Sequence, residues 1–221
     1  MEAAKYSIFG SDYVGVFATV TDDFLFAGSG LTGNVKEMMA KTLEVRRIEF
    51  KVSGTDLIGL FARANSNGIL VSGMAESHEI EALKKDGLDL KVGVLDSDLN
   101  AVGNNILAND KMAIINPDYS EHEEKLIEDV LDVEVIKASI DGFKTVGANN
   151  ILTNKGLVLN NKATAKEKKD WEDMTGFESI MTTANTGAYA IGLAAVANSK
   201  AVVVGNTTTG YELARIVEAL E

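Results

Sequence analysis

Gly103-Asn-Asn-Ile-Leu-Ala-Asn-Asp-Lys-Met-Ala-Ile-Ile115 reads as a glycine, a short apolar strand, a small polar turn and a second apolar strand. Two short apolar runs around an Asn-Asp turn are the pattern of a β-hairpin. Moving outward, the same order returns on both sides. The copies are Gly15-Val-Phe-Ala-Thr-Val-Thr-Asp-Asp-Phe-Leu-Phe26, Gly59-Leu-Phe-Ala-Arg-Ala-Asn-Ser-Asn-Gly-Ile-Leu-Val71, Gly147-Ala-Asn-Asn-Ile-Leu-Thr-Asn-Lys-Gly-Leu-Val-Leu159 and Gly192-Leu-Ala-Ala-Val-Ala-Asn-Ser-Lys-Ala-Val-Val-Val204. The leading glycines stand 44, 44, 44 and 45 residues apart. A period of that length filling the chain means that each unit is one supersecondary element that buries its apolar face against its neighbours, in an array or a closed ring.

The second half of each unit reads as a capped helix followed by another strand. Asn34-Val-Lys-Glu37, Ser120-Glu-His-Glu123, Thr164-Ala-Lys-Glu167 and Thr209-Gly-Tyr-Glu212 have capping-box spacing, in which the cap side chain and the acid satisfy each other's free N–H groups. Apolar residues then recur at helical spacing, as in Leu126, Ile127, Val130 and Leu131, or Leu213, Ile216, Val217 and Leu220. The second unit has the weakest helical signal, with Ile80 and Leu83. Val45–Phe50, Leu88–Val94, Val133–Ile140 and Phe177–Met181 supply the strands after the helices. The units divide at about 10–52, 53–97, 98–140, 141–184 and 185–221, within one domain. After the last helix the sequence offers no closing strand, and the missing one is expected at residues 5–9, ahead of the first glycine. A strand there closes the ring and leaves no long sheet edge exposed. The expected fold class is therefore α/β, as a closed five-fold pseudosymmetric propeller.

With 46% hydrophobic residues the chain can bury a sizeable core, and its apolar residues come in short runs rather than the roughly 20 in a row that span a bilayer. The first residues show no basic segment followed by an apolar one, and there is no cysteine, so the expectation is a cytoplasmic protein without disulfides or a thiolate nucleophile. A formal charge of −12 opposes holding nucleic acid by phosphate neutralisation and suits either a basic protein partner or plain solubility.

Chemical signatures are sparse. The two histidines, His78 and His122, sit in polar segments near helix starts, and the acids around His122 match no metal-ligand spacing. No nucleophile elbow, P-loop or dinucleotide fingerprint occurs, and no cofactor or metal site is expected. Gly28-Ser-Gly30 and Gly205-Asn-Thr-Thr-Thr-Gly210 read as helix-entry loops that could seat an anion. Lys166-Glu-Lys-Lys169 reads as a solvated face, and Trp171 as a core residue under the same helix. Asn65, Asn109, Asn154 and Asn198 at the hairpin turns read as residues chosen for turn geometry.

Several stretches carry a resemblance to a known family: Tyr13-Val-Gly-Val-Phe-Ala18 with Thr21-Asp22, Ala64-Asn-Ser-Asn-Gly-Ile-Leu-Val71, Val102-Gly-Asn-Asn-Ile-Leu-Ala-Asn-Asp110, Asn116-Pro-Asp118, Thr153-Asn-Lys-Gly156 and Thr207-Thr-Thr-Gly-Tyr-Glu-Leu213. Over its whole length the chain resembles the archaeal translation initiation factor 6 family. It departs from the family pattern at Ser11-Asp12-Tyr13, where Asn-Pro-Tyr is usual, and at Tyr211, where proline is usual. The resemblance implies the pentein-type fold, five α/β units about a central channel. It implies a monomeric factor that is not an enzyme, binds the large ribosomal subunit, prevents association with the small subunit, and acts in large-subunit biogenesis. The implied contact is a basic universal large-subunit protein near the sarcin-ricin loop, with no membrane and no direct DNA binding. The positions that the resemblance assigns to this contact are Leu60, Asn104, Asn105, Asn149 and Asn150. Two other classes stand against this reading. A pentein-fold enzyme that modifies guanidine groups needs a nucleophilic cysteine, which this sequence lacks. A scaffold that holds a small ligand in the central channel is compatible with the residues.

Overall fold

The computed structural model describes residues 1–85 and 88–221; Asp86 and Gly87, inside the second predicted unit, lie outside the described residues. The repeat becomes five three-stranded sheets. The first unit holds β2 (Ala18–Val20), β3 (Phe24–Gly28), helix α1 (Gly33–Leu43) and β4 (Arg46–Phe50). The second continues with the short α2 (Ile58–Phe61), β5 (Ala62–Ala64), β6 (Gly68–Ser72), α3 (Ser77–Lys85) and β7 (Lys91–Leu95). The third has α4 (Val102–Asn105), β8 (Ile106–Ala108), β9 (Met112–Ile115), α5 (Glu121–Leu131) and β10 (Glu134–Lys137). The fourth has α6 (Val146–Asn149), β11 (Ile151–Leu152), β12 (Leu157–Asn160), α7 (Ala165–Thr175) and β13 (Ser179–Thr182). The fifth has α8 (Ile191–Ala194), β14 (Ala195–Ala197), β15 (Ala201–Gly205) and α9 (Gly210–Leu220). In each of the first four sheets the middle strand pairs antiparallel with the hairpin strand before it and parallel with the strand after the helix.

The fifth sheet is completed from the other end of the chain. β1 (Glu2–Tyr6) runs parallel to β15 in register Glu2↔Ala201 through Tyr6↔Gly205. This strand lies at 2–6 and not at the expected 5–9. Phe9 and Gly10 have positive φ, and the bridge Ile8↔Ser11 closes a turn there, so residues 8–11 cannot stay extended. The same turn recurs at Val52↔Thr55, Ile140↔Phe143 and Ala184↔Ala188.

The leading glycines do not begin strands. Each sits in a single helical turn before its hairpin: a 3-10 turn at Val14–Val16, then α2, α4, α6 and α8. These five turns pack on one another in a ring. A Cβ on Gly59 would lie 1.8 Å from the carbonyl oxygen of Gly15, on Gly103 1.9 Å from that of Gly59, on Gly147 2.2 Å from that of Gly103, on Gly192 2.0 Å from that of Gly147, and on Gly15 2.2 Å from that of Gly192. Backbone meets backbone at five successive joints, and a side chain has no room at any of them. The 44-residue glycine period is this ring read along the chain.

The long helices lock the units together. α1 packs on β15 and β1, α3 on β4, α5 on β6 and β7, and α9 on β12 and β13, so each of these helices covers the sheet of the preceding unit. Trp171 of α7 is 2% exposed, lies in a cluster with Leu107 and Ile114, and donates its indole N–H to the Ser139 carbonyl at 3.3 Å. The capping boxes form at Ser120 and Glu123, Thr164 and Glu167, and Thr209 and Glu212. The one expected at Asn34 and Glu37 does not: α1 starts at Gly33 behind Thr32, which makes no side-chain cap bond, so Asn34 is already helical. The third helical residue there is Val35, where the other four long helices carry Glu79, Glu123, Glu167 and Glu212.

Three of these acids also reach the left-handed turn that enters their unit. Glu79 accepts from the Ser53 and Gly54 amides, both at 2.8 Å, Glu167 from Asp141 at 2.7 Å, and Glu212 from Thr186 at 3.2 Å and Gly187 at 2.8 Å. Burial works against ionisation of Glu212, but bonds from the Thr183 hydroxyl, the Thr209 and Gly187 amides and the Thr209 hydroxyl outweigh it and hold its pKa at about 2.

Candidate functional site

Two surfaces deserve comparison as sites: the end of the ring formed by the five single turns, and the channel along its axis. On the first, the residues directly after the glycines are Val16, Leu60, Asn104, Ala148 and Leu193. Val16, Leu60, Asn104 and Leu193 are half-buried, whereas Ala148 is buried. Beside Val16 and Leu193 the surface dips into an apolar groove of about 390 Å³ lined also by Ser11, Tyr13, Ala188 and Tyr189. Both tyrosines are exposed, and the Tyr189 ring stacks on Phe143 at 5.4 Å between centroids. The departure Ser11-Asp12-Tyr13 therefore borders this groove, while Tyr211, the other departure, stands 75% exposed on the first turn of α9.

Of the five positions the sequence singled out, the structure leaves two at the surface. Asn105 donates to the Ala101 carbonyl at 3.0 Å and accepts from the Asn116 amide at 2.7 Å. Asn149 donates to the Thr145 carbonyl at 2.9 Å. Asn150 donates to the Val146 carbonyl at 3.0 Å and accepts from the Asn160 backbone at 3.2 Å. All three are buried, and their amides are spent on carbonyls four residues back, at the single turns where the helical ladder runs out. Leu60 and Asn104 are different. Both are part-exposed, although the Asn104 carboxamide oxygen is itself buried and has no hydrogen-bond partner among the described residues.

The hairpin turns form the opposite mouth of the channel. The turn position is occupied by Thr21, Asn65, Asn109, Thr153 and Asn198; Asn154 lies one residue beyond it. Asn65, Asn109 and Asn198 each accept two backbone N–H groups of their own turn at 2.9 to 3.0 Å, as an Asx turn does. Their amide groups bind the next unit as well. Asn65 donates to the carbonyls of Asn109 (3.1 Å) and Leu131 (2.8 Å), Asn109 to Thr153 (2.9 Å), and Asn198 to Thr21 (3.3 Å) and Leu43 (2.9 Å). Leu131 and Leu43 end α5 and α1, so the asparagines satisfy orphan helix carbonyls. One residue on, Asp22 accepts from Ser199 and Asn154, and Asp110 from Ser66 and Asn154.

The remaining candidates are structural or solvated. Gly30 donates its N–H to Asp56 at 2.8 Å, so a carboxylate of the chain already sits at that loop. Lys166 and Lys169 are exposed, and Lys168 pairs with Glu172. His122 is exposed, and His78 lies 3.3 Å from Glu76. Among the described residues no group of three or more His, Cys, Asp or Glu is placed to hold a metal ion, and no helix is long and apolar enough to cross a membrane.

Fold and surface together define a closed pentein-type ring of five α/β units, with an apolar and amide-bearing end around a narrow channel. The model of the eIF-6 family matches residues 3–219. The chain is 38% identical over 213 residues to translation initiation factor 6 of Methanosarcina acetivorans, covering 96% of this chain and 95% of that one. It is 36% identical to translation initiation factor 6 of Saccharolobus islandicus, covering 100% and 99%. Among solved structures, a DDAH from Pseudomonas aeruginosa complexed with citrulline aligns with a TM-score of 0.47 and 14% identity over 76% of this chain and 68% of that one. The chain belongs to the eIF-6 family.

Proposed function

We propose that the chain is a translation initiation factor that binds the large ribosomal subunit through the end of the ring bearing the five single turns, and thereby keeps the small subunit from joining. Membership of the eIF-6 family, with near full-length relatives named translation initiation factor 6, supports the translational role. The observation that carries the choice of surface is the contrast among the amides. Asn105, Asn149 and Asn150 are buried and consumed internally, while Leu60 and Asn104 are part-exposed on the same end of the ring as an apolar groove beside Val16 and Leu193. The formal charge of −12 suits a basic ribosomal protein as the contact, since opposite fields speed encounter and set orientation. The factor acts as a monomer and by occupying surface, without turning over a substrate.

Asn104→Arg and Leu60→Asp test this on folded protein. A charge desolvated at a contact core without a partner lowers affinity by an order of magnitude or more, about 1.4 kcal/mol. Co-sedimentation with isolated large subunits and light scattering of subunit joining both report the loss. Full pelleting and full inhibition of joining by both variants, with unchanged melting curves, would remove this face from the contact.

A further inference from the structure

The end of the ring repeats five times, and aromatic rings break the repeat at one joint. Three positions of each unit flank the leading glycine. Three residues before it stand Asp12, Asp56, Asn100, Lys144 and Tyr189, two before it Tyr13, Leu57, Ala101, Thr145 and Ala190, and one after it Val16, Leu60, Asn104, Ala148 and Leu193. Tyr13 and Tyr189 are the only aromatic residues among these, and although they come from opposite ends of the chain they line the same groove, where the fifth unit meets the first. A partner that met only the repeated features could seat in five rotations, whereas rings at a single joint select one.

The two rings are held in place and left open. Tyr189 is backed by Phe143, the Ser11 hydroxyl accepts the Tyr13 N–H at 3.2 Å, and neither phenol hydroxyl has a partner among the described residues. Tyr13 is 41% and Tyr189 42% exposed, and Val16 and Leu193 add aliphatic surface beside them. An aliphatic anchor would use only that surface. The electron-rich ring faces attract a cation, and a lysine or arginine carries an apolar stem behind its charged head. The charges nearby agree with this: Asp12, between Ser11 and Tyr13, is kept ionised by hydrogen bonds from the Ser7 and Thr207 hydroxyls, while Lys144, next to Phe143, is paired with Asp118 at 2.7 Å. The chain as a whole carries a formal charge of −12, a field that draws basic segments. We propose that this groove seats one lysine or arginine side chain of a basic ribosomal-protein segment, its stem along Val16 and Leu193 and its charged head against the Tyr13 and Tyr189 rings, and that this seat fixes the rotation at which the end of the ring docks. The ribosomal origin of that side chain rests on the large-subunit binding proposed above; the cationic chemistry of the groove does not.

Co-sedimentation of the full chain with isolated large subunits tests the seat, with Tyr13→Leu, Tyr189→Leu, Tyr13→Phe and Tyr189→Phe compared at matched melting temperature. Leucine keeps apolar volume and removes the ring, whereas phenylalanine keeps the ring. Each leucine variant should raise Kd about tenfold, and each phenylalanine variant should bind as the wild type does. A second arm needs no ribosome: proton NMR of the full chain titrated with Nα-acetyl-arginine methylamide or Nα-acetyl-leucine methylamide. The arginine compound should shift the Tyr13 and Tyr189 ring signals saturably, and the leucine compound should not. Leucine variants that pellet like the wild type, while Asn104→Arg loses binding, would overturn the seat and leave the binding face standing. Equal shifts with the two compounds, or none with either, would overturn the cationic occupant. A wild type that fails to pellet would overturn the large-subunit reading and the ribosomal partner with it.

Discussion

Replacing Glu212 with glutamine removes one negative charge and one acceptor from a point where five donors converge. The Thr183 hydroxyl (2.7 Å) and the Gly187 amide (2.8 Å) bond Oε1, and the Thr186 amide (3.2 Å), the Thr209 amide (2.8 Å) and the Thr209 hydroxyl (2.9 Å) bond Oε2. In the variant an NH₂ group faces the donors on one side; a threonine hydroxyl can turn to accept from it, but at least one backbone N–H loses its acceptor. The residue is 5% exposed, and water cannot readily replace it. The same bonds hold the pKa at about 2 against the ordinary 4.5, so the fold favours the ionised carboxylate by about 3 kcal/mol. The folded-state pKa is depressed, so this stabilisation is complete above about pH 4.5 and is lost as the pH falls towards 2. Glutamine does not titrate. The stability difference between wild type and Glu212→Gln should therefore be about 3 kcal/mol at pH 7 and should shrink steadily between pH 4.5 and 2. Urea denaturation of both proteins at several pH values measures it. A difference below about 1 kcal/mol at pH 7, or one that stays constant through that acid range, would refute the view that this carboxylate fastens α9 to its entry turn.

Gly103→Ala places a methyl against the Gly59 carbonyl and should destabilise by about 3 kcal/mol or prevent folding; urea midpoints compared with Gly210→Ala, where a Cβ meets nothing within 4 Å, isolate the steric part. Asn65→Ala leaves the Asn109 carbonyl and two turn amides without partners, while the Leu131 carbonyl keeps its bond from Asn67, and should cost about 2 kcal/mol in the same assay. Deleting residues 1–6 bares β15 along its whole length, so the truncated chain should melt at lower temperature and self-associate in light scattering as concentration rises; a monomer with an unchanged melting curve would contradict closure by β1.

The repeat made much of the fold legible because the ring joint is written in one residue type. A glycine every 44 or 45 residues is a steric demand of backbone against backbone, and no other residue can meet it. The same glycines misled in one respect, since the apolar residues around them read as strand although the chain first makes a single helical turn; four residues are too few for a helical period to show. The capping boxes were readable where Ser or Thr stands three residues before Glu, and failed at Asn34, because Thr32 stands two residues earlier in an equally good cap position. In α1, Lys36 then turns inward instead, to the Ser29 carbonyl and Glu49.

The proposed binding face was less legible, for a reason that lies in amide chemistry. Asn104 and Asn105 are adjacent and chemically identical, yet one stays part-exposed while the other is buried, donating to the Ala101 carbonyl. Which of two neighbouring asparagines turns inward depends on the phase of a single helical turn, and composition does not encode phase. Arg63 is the opposite case. Within its own hairpin it is an ordinary alternating residue, but aligned with Leu107, Ile151 and Val196 it is a cation in an aliphatic column. In a closed repeat, equivalent positions meet at the axis, so the chemistry of the channel is set by comparing units with one another rather than by reading any one of them. That comparison places one positive charge and one hydroxyl where the other units present aliphatic side chains, and it is there that the pseudosymmetry of the channel gives way.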